Sequence, residues 1–195
     1  MKHLPSFFNY KEENADHGYE TMQDFFLSWT IRCSNESYKN TNPILYEYAR
    51  RIVFGLIYGE NENGNYILKK EINNDFKVTS VKTKRQYKNI DLLVEIEISF
   101  IEKVLLNIEN KWYSKLDPNQ LEKYNDFVKN EYPTSKISNL FITCDDCRKN
   151  YEEEKKNCIT NNYKFLTIEH LFSIAGMDTG GKTTNYLFDE YWFKD

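Results

Sequence analysis

Val104-Leu105-Leu106-Asn107-Ile108-Glu109-Asn110-Lys111, preceded at a short remove by Asn89-Ile90-Asp91-Leu92-Leu93, has the composition of a buried strand with an acid near its end. Side chains alternate across a strand with a period of two, so Glu109 and Lys111 share one face while Ile108 and Asn110 share the other. The alternate members Val104, Leu106 and Ile108 are apolar, which anchors that second face in a core. If the two stretches pair antiparallel, Asp91 at the start of one lies beside Glu109 near the end of the other.

Working outward, β-branched residues define three strand segments at about 76–87, 90–98 and 104–111, joined by short polar links as a meander. Upstream, Met22, Phe25, Phe26, Trp29 and Ile31 recur at helical spacing between Tyr19 and Arg32, predicting an amphipathic helix with one buried face. A second helix starts near Pro43, with Asn42 as its N-cap, and continues through Ile52, Val53 and Leu56. The stretch Gly59–Asn65 reads as a polar loop. Downstream, Asp117, Pro118 and Gln120 form a helix-start pattern with Asp117 as N-cap, for a helix running to about Glu131. Ile137–Thr143 then returns as a strand parallel to the third, because strand, helix and strand in series favour a crossover. A short strand near Tyr163–Thr167 and helices at Ile168–Ala175 and Thr183–Phe193 complete the chain.

With 195 residues, the chain is the size of one domain on a prior of roughly 100–200 residues each. The core is expected at about 19–143, with a C-terminal extension over 144–195. Mean hydropathy of −0.73 and the lack of a long apolar run exclude a membrane span. The first residues lack the apolar stretch of a secretory signal, so the expected location is the cytoplasm. Four cysteines are too few for a disulfide framework, and reduced thiols are expected. Cys144 and Cys147 would supply half of a zinc site, but Cys33, Cys158 and the scattered histidines do not complete it.

A net charge of −4 gives no global basic footprint. Locally, Lys82, Lys84, Arg85 and Lys88 form the densest basic run. It reads either as a solvated hairpin edge or as a phosphate-attracting surface. Two converging carboxylates suit Mg²⁺ or Mn²⁺, which take oxygen ligands, waters and substrate phosphates; the Asn110 backbone carbonyl could add another oxygen. A lysine two residues beyond the glutamate could orient or help deprotonate an attacking water, or stabilise charge on phosphorus-bound oxygens. The plainer alternative is an exposed Glu–Lys pair worth little energetically.

These motifs resemble the PD-(D/E)XK nuclease superfamily. Asn89-Ile90-Asp91 matches its first acidic motif, with Ile90 where many members have proline, and Ile108-Glu109-Asn110-Lys111 matches the hydrophobic residue followed by Glu-x-Lys. Gln120-Leu121-Glu122-Lys123-Tyr124 resembles the Gln-Leu-x-x-Tyr helix of one bacterial and phage branch. The likeness spans roughly Tyr19 to Thr143. It implies an α/β restriction-endonuclease-like core: a mixed sheet of meander, crossover helix and parallel strand, flanked by helices.

The resemblance further implies a metal-dependent nuclease, with DNA favoured over RNA, and the family branch points to phage defence or mobile elements. Asp91 and Glu109 would bind metal, Lys111 would act at the water or scissile phosphate, and Glu20 matches a helix glutamate that approaches the metal. Gln120 either serves the site or closes the capping box. Tyr124 is either a nucleic-acid contact or a core aromatic. A chain without an evident recognition domain calls for a homodimer or an activating partner.

A noncatalytic module on the same fold is the main alternative, and retention of Asp91, Glu109 and Lys111 together argues against it. Gly176-Met177-Asp178-Thr179-Gly180-Gly181-Lys182-Thr183 also satisfies the P-loop pattern. Its expected context is a helix before it and no room after it for an acidic strand, which favours a glycine-rich turn over nucleotide binding.

Overall fold

A computed structural model describes residues 19–63, 65–99, 102–112, 116–117, 119–144 and 151–193; for 19–21 only the helical backbone is described. The elements are α1 (Tyr19–Cys33), α2 (Pro43–Tyr58), β1 (Gly59–Glu62), β2 (Asn65–Leu68), β3 (Val78–Tyr87), β4 (Ile90–Ile98) and β5 (Glu102–Asn110). There follow α3 (Gln120–Glu131), β6 (Lys136–Thr143), α4 (Glu152–Thr160), β7 (Lys164–Thr167), α5 (Ile168–Ala175) and α6 (Tyr186–Phe193). The mixed α/β order expected from the sequence is present, and it is consistent with a restriction-endonuclease-like fold.

The main sheet has the order β3-β4-β5-β6-β7, antiparallel from β3 to β5 and parallel from β5 to β7. A two-residue turn joins β3 to β4. Both of its residues, Lys88 (φ 56°) and Asn89 (φ 68°), are left-handed, as turns that match the strand twist require. In β4–β5, Leu92 faces Ile108 and Val94 faces Leu106, the antiparallel pairing that brings Asp91 toward Glu109.

β5 lies at the centre, and every residue from Val104 to Asn110 is buried. The even-numbered residues Val104, Leu106 and Ile108 pack in the larger core with residues of α1, α2, α5 and α6. Leu105, on the other face, meets Tyr124 and Val128 of α3. A one-residue slip would exchange these two sets, so this double burial fixes the register that delivers Glu109 to its place.

Several boundaries differ from the sequence expectation. The segment read as a polar loop after α2 is a hairpin, β1–β2. Its polar strand is held because Asn61 reaches the sheet edge, donating through Nδ2 to Phe165 O at 2.6 Å and accepting from Phe165 N at 2.8 Å. The helix expected from Asp117 starts at Gln120. Asp117 Oδ1 instead accepts from Asn119 N at 3.0 Å in the turn before it, and Pro118 lies outside the described residues. α4 was not anticipated, although Glu152–Glu154 in its first turn is a favourable pattern at the positive end of a helix dipole. Phe25, counted with the buried face of α1, is 53% exposed. The face that packs inward is instead centred on Phe26, Leu27 and Ile31.

Asn42 caps α2 as expected, its Oδ1 accepting from Leu45 N at 3.1 Å. The glycine-rich stretch follows α5 rather than a strand. Gly176 is left-handed (φ 76°) and closes that helix, with Met177 N donating to Phe172 O at 3.2 Å. Thr183 gives both its N–H and its hydroxyl to Asp189 Oδ1, at 2.8 and 2.7 Å. Its hydroxyl is thus engaged in holding the start of α6, and the P-loop context is missing. Of the two cysteines considered for a zinc site, Cys147 lies outside the described residues and Cys144 is half-buried; Cys158, apart from them, is a buried free thiol in α4. Among the described residues no helix is long and apolar enough to cross a membrane.

Candidate active site

The carboxyl end of β5 and the start of β4 converge where the β4–β5 ladder ends. Beyond the last pair, Leu92 with Ile108, the Asn110 N–H has no β4 carbonyl opposite and donates to Asp91 Oδ2 at 2.9 Å. Asp91 is thereby fixed by the strand it faces.

Glu109 is 1% exposed. Its Oε1 accepts from Lys111 Nζ at 2.7 Å and from Gln120 Nε2 at 2.6 Å. Its Oε2 is buried with no hydrogen-bond partner. Burial first, and the neighbouring Asp91 charge second, push the Glu109 carboxyl up to about 8 against the pull of Lys111. With Lys111 at 15% side-chain exposure, the pair is not the exposed salt bridge of the plainer reading.

Because α3 begins at Gln120, that side chain is not spent on a cap and spans from Glu109 to the Tyr124 hydroxyl at 3.0 Å. Tyr124 is itself buried against Ile90, Leu93 and Leu105. Its ring packs as a core aromatic, and its hydroxyl accepts from Gln120. Gln120→Ala is expected to lower kcat about tenfold by loosening Glu109, with KM and melting temperature little changed, in steady-state kinetics and calorimetry. A cap residue would behave oppositely, costing stability and leaving kcat intact.

On the other side, α1 contributes polar residues that sequence reading missed. Asn110 Nδ2 donates to Asp24 Oδ1, and Asn110 Oδ1 accepts from Gln23 Nε2 at 3.1 Å. Asp24 is buried, and that burial pushes its carboxyl up to about 6. Gln86 Nε2 joins the two acids, donating to Asp91 Oδ1 at 3.0 Å and Asp24 Oδ2 at 3.4 Å. Its backbone is left-handed (φ 51°) within β3, an uncommon conformation for a residue with a side chain. Asp24 stands four residues beyond Glu20 in α1, and that helical spacing was the available signal. The Glu20 side chain itself lies outside the described residues.

The basic run divides. Lys84 is taken by Glu95 at 2.8 Å and by the Tyr132 hydroxyl at 3.0 Å. Lys82, Arg85 and Lys88 are exposed.

A divalent cation fits this chemistry on the donor set itself. One or two carboxylates with further oxygens suffice for Mg²⁺, and Asp91 and Glu109 bring two carboxyl groups together here. The described residues gather no cluster of three or more acidic, cysteine or histidine side chains that could hold a metal ion by themselves.

No curated protein and no solved structure matches the chain significantly. A family model described as the PD-(D/E)XK nuclease superfamily matches residues 4–186, which includes every residue of this constellation. With an acid at the start of one strand, Glu-x-Lys at the end of its neighbour, and a match along nearly the whole length, the chain belongs to the PD-(D/E)XK nuclease superfamily.

Proposed function

We propose that this chain, acting as one domain, is a divalent-metal-dependent nuclease that hydrolyses phosphodiester bonds in DNA. The observation that carries the reading is the convergence of three groups on one spot: Glu109 is buried beside Asp91 and lies 2.7 Å from the Lys111 ammonium. A carboxylate so placed is costly to bury, and a cation offsets that cost.

In this reading Asp91, Glu109 and the Asn110 carbonyl hold the metal. A bound Mg²⁺ or Mn²⁺ would supply Lewis-acid polarisation of the phosphate and a lowered water pKa. Lys111, steadied by Glu109, orients the attacking water and offsets charge on the phosphate oxygens. Gln120 holds Glu109 in place, while Gln86 and Asn110 do the same for Asp91. Lys82, Arg85 and Lys88 attract the backbone phosphates. DNA is favoured by the likeness of Glu109-x-Lys111 and Gln120-Leu121-x-x-Tyr124 to a bacterial and phage branch, the same likeness that supports a defence or mobile-element role.

The test is cleavage of plasmid, linear duplex, single-stranded DNA and RNA in Mg²⁺, Mn²⁺ or EDTA. Wild type is compared with Asp91→Asn and Lys111→Met. The expected result is metal-dependent cleavage of DNA that both variants lose by about 10²-fold or more. Cleavage that survives in EDTA or in both variants would remove the site from the chemistry. A wild type that neither cleaves nor binds metal in calorimetry would make the fold a noncatalytic module.

A further inference from the structure

Phe25 stands apart from the other aromatics of α1. Phe26 is buried and stacks on Tyr191 at 3.9 Å between ring centroids. Phe25, its neighbour, remains more than half exposed, and the guanidinium carbon of Arg85 lies 3.1 Å from its ring centroid.

The pair sits beside the acids. Phe25 follows Asp24 in α1, Arg85 precedes Gln86 in β3, and the Gln86 amide connects Asp24 to Asp91. Successive strand residues ordinarily face opposite sides of a sheet. Here the left-handed backbone at Gln86 accompanies a departure from that rule, since Arg85 and Gln86 both meet α1, one on Phe25 and the other on Asp24. Strain of this kind is kept where surrounding contacts over-determine it, commonly at functional sites.

An exposed phenyl ring backed by a guanidinium has a specific use on nucleic acid. Aromatic faces and arginine planes stack unpaired bases, whereas in a duplex the base faces are already stacked on one another. We propose that Phe25 and Arg85 form a platform on which an unpaired nucleobase next to the scissile phosphate stacks. The preferred substrate is therefore DNA that is single-stranded or frayed at the cut. The inference takes its nucleic-acid class from the nuclease reading of Asp91, Glu109 and Lys111, but its test does not depend on cleavage.

The test measures binding of the full chain, in EDTA, to single-stranded DNA carrying 2-aminopurine at successive positions and to the matching duplex. Stacking on the platform is expected to quench 2-aminopurine at one position. Phe25→Ala is expected to abolish that quench and weaken single-strand binding about tenfold while changing duplex binding little. Phe25→Trp is expected to restore both. Because Phe25 is exposed, Phe25→Ala should melt with wild type, which separates loss of stacking from loss of fold. Equal quenching in wild type and Phe25→Ala, no position-specific quench, or equal losses on single strand and duplex would each overturn the platform. Intact quenching with no metal-dependent cleavage would instead leave the platform standing and overturn the catalytic reading.

Discussion

Glu109→Gln is expected to reduce metal-dependent cleavage by about 10³-fold or more while leaving the metal-free protein at least as stable as wild type. The substitution keeps shape and an oxygen for Lys111 and Gln120, whose donors both converge on Oε1. It removes a carboxyl whose charged form burial and the Asp91 charge disfavour by more than Lys111 favours it. Activity and stability should therefore separate. Added Mg²⁺ should raise the melting temperature of wild type, by about 2.7 kcal/mol of stabilisation at a hundredfold excess over Kd, and should leave that of the variant unchanged. Cleavage assays and differential scanning calorimetry check the two halves. Equal metal stabilisation of both proteins would show that Glu109 is not a ligand.

Asn139→Ala is expected to give the second large effect, a loss of about 3 kcal/mol in urea denaturation. Behind Glu109 on the same sheet face, Asn107 donates to Asn139 Oδ1 at 2.9 Å and to the Tyr163 hydroxyl at 2.6 Å. Asn139 in turn donates to Asn125 Oδ1 of α3 at 3.0 Å. All four side chains are buried. Removing the middle member leaves a buried donor on one side and a buried acceptor on the other, each costing about 1–3 kcal/mol. The double variant with Asn125→Ala should cost less than the sum of the two single changes, because the second removes a group the first has already stranded. This ladder ties α3 to the sheet two residues from Glu109. Asn139→Ala should therefore also reduce cleavage several-fold through Gln120. Strict additivity would mean that the amides act independently.

Much of this arrangement was legible in the chain. β-Branched content located β4 and β5, and the period of two placed Glu109 and Lys111 on one face. Asn42–Pro43 marked the start of α2, and the acid–Glu-x-Lys–Gln-Leu-x-x-Tyr order carried the family. What escaped was polar structure that depends on distant partners. Nothing local distinguishes Asn61 in a loop from Asn61 pairing with Phe165, 104 residues away. Asp24 and Gln86 look like surface residues until α1 is laid beside the β3–β4 turn. Phe25 illustrates the converse: helical spacing alone could not say that the inward face begins one residue later. Gln120 was read with two roles open, and the late start of α3 explains how its side chain comes to reach Glu109.

The two asparagines at the margins of the sheet bear on how the protein avoids joining itself into fibres. Asn61 occupies both the donor and the acceptor of Phe165 at the outer edge of β7. At the opposite margin, Asn35 Nδ2 takes the Thr79 carbonyl at 3.1 Å beside the Asn35–Val78 bridge. Farther along β3 that margin carries the exposed Lys82 and Arg85, whose like charges would repel the same strand of another copy. Side-chain amides thus stand in for neighbouring strands, and the sheet ends where it does without a further strand to close it.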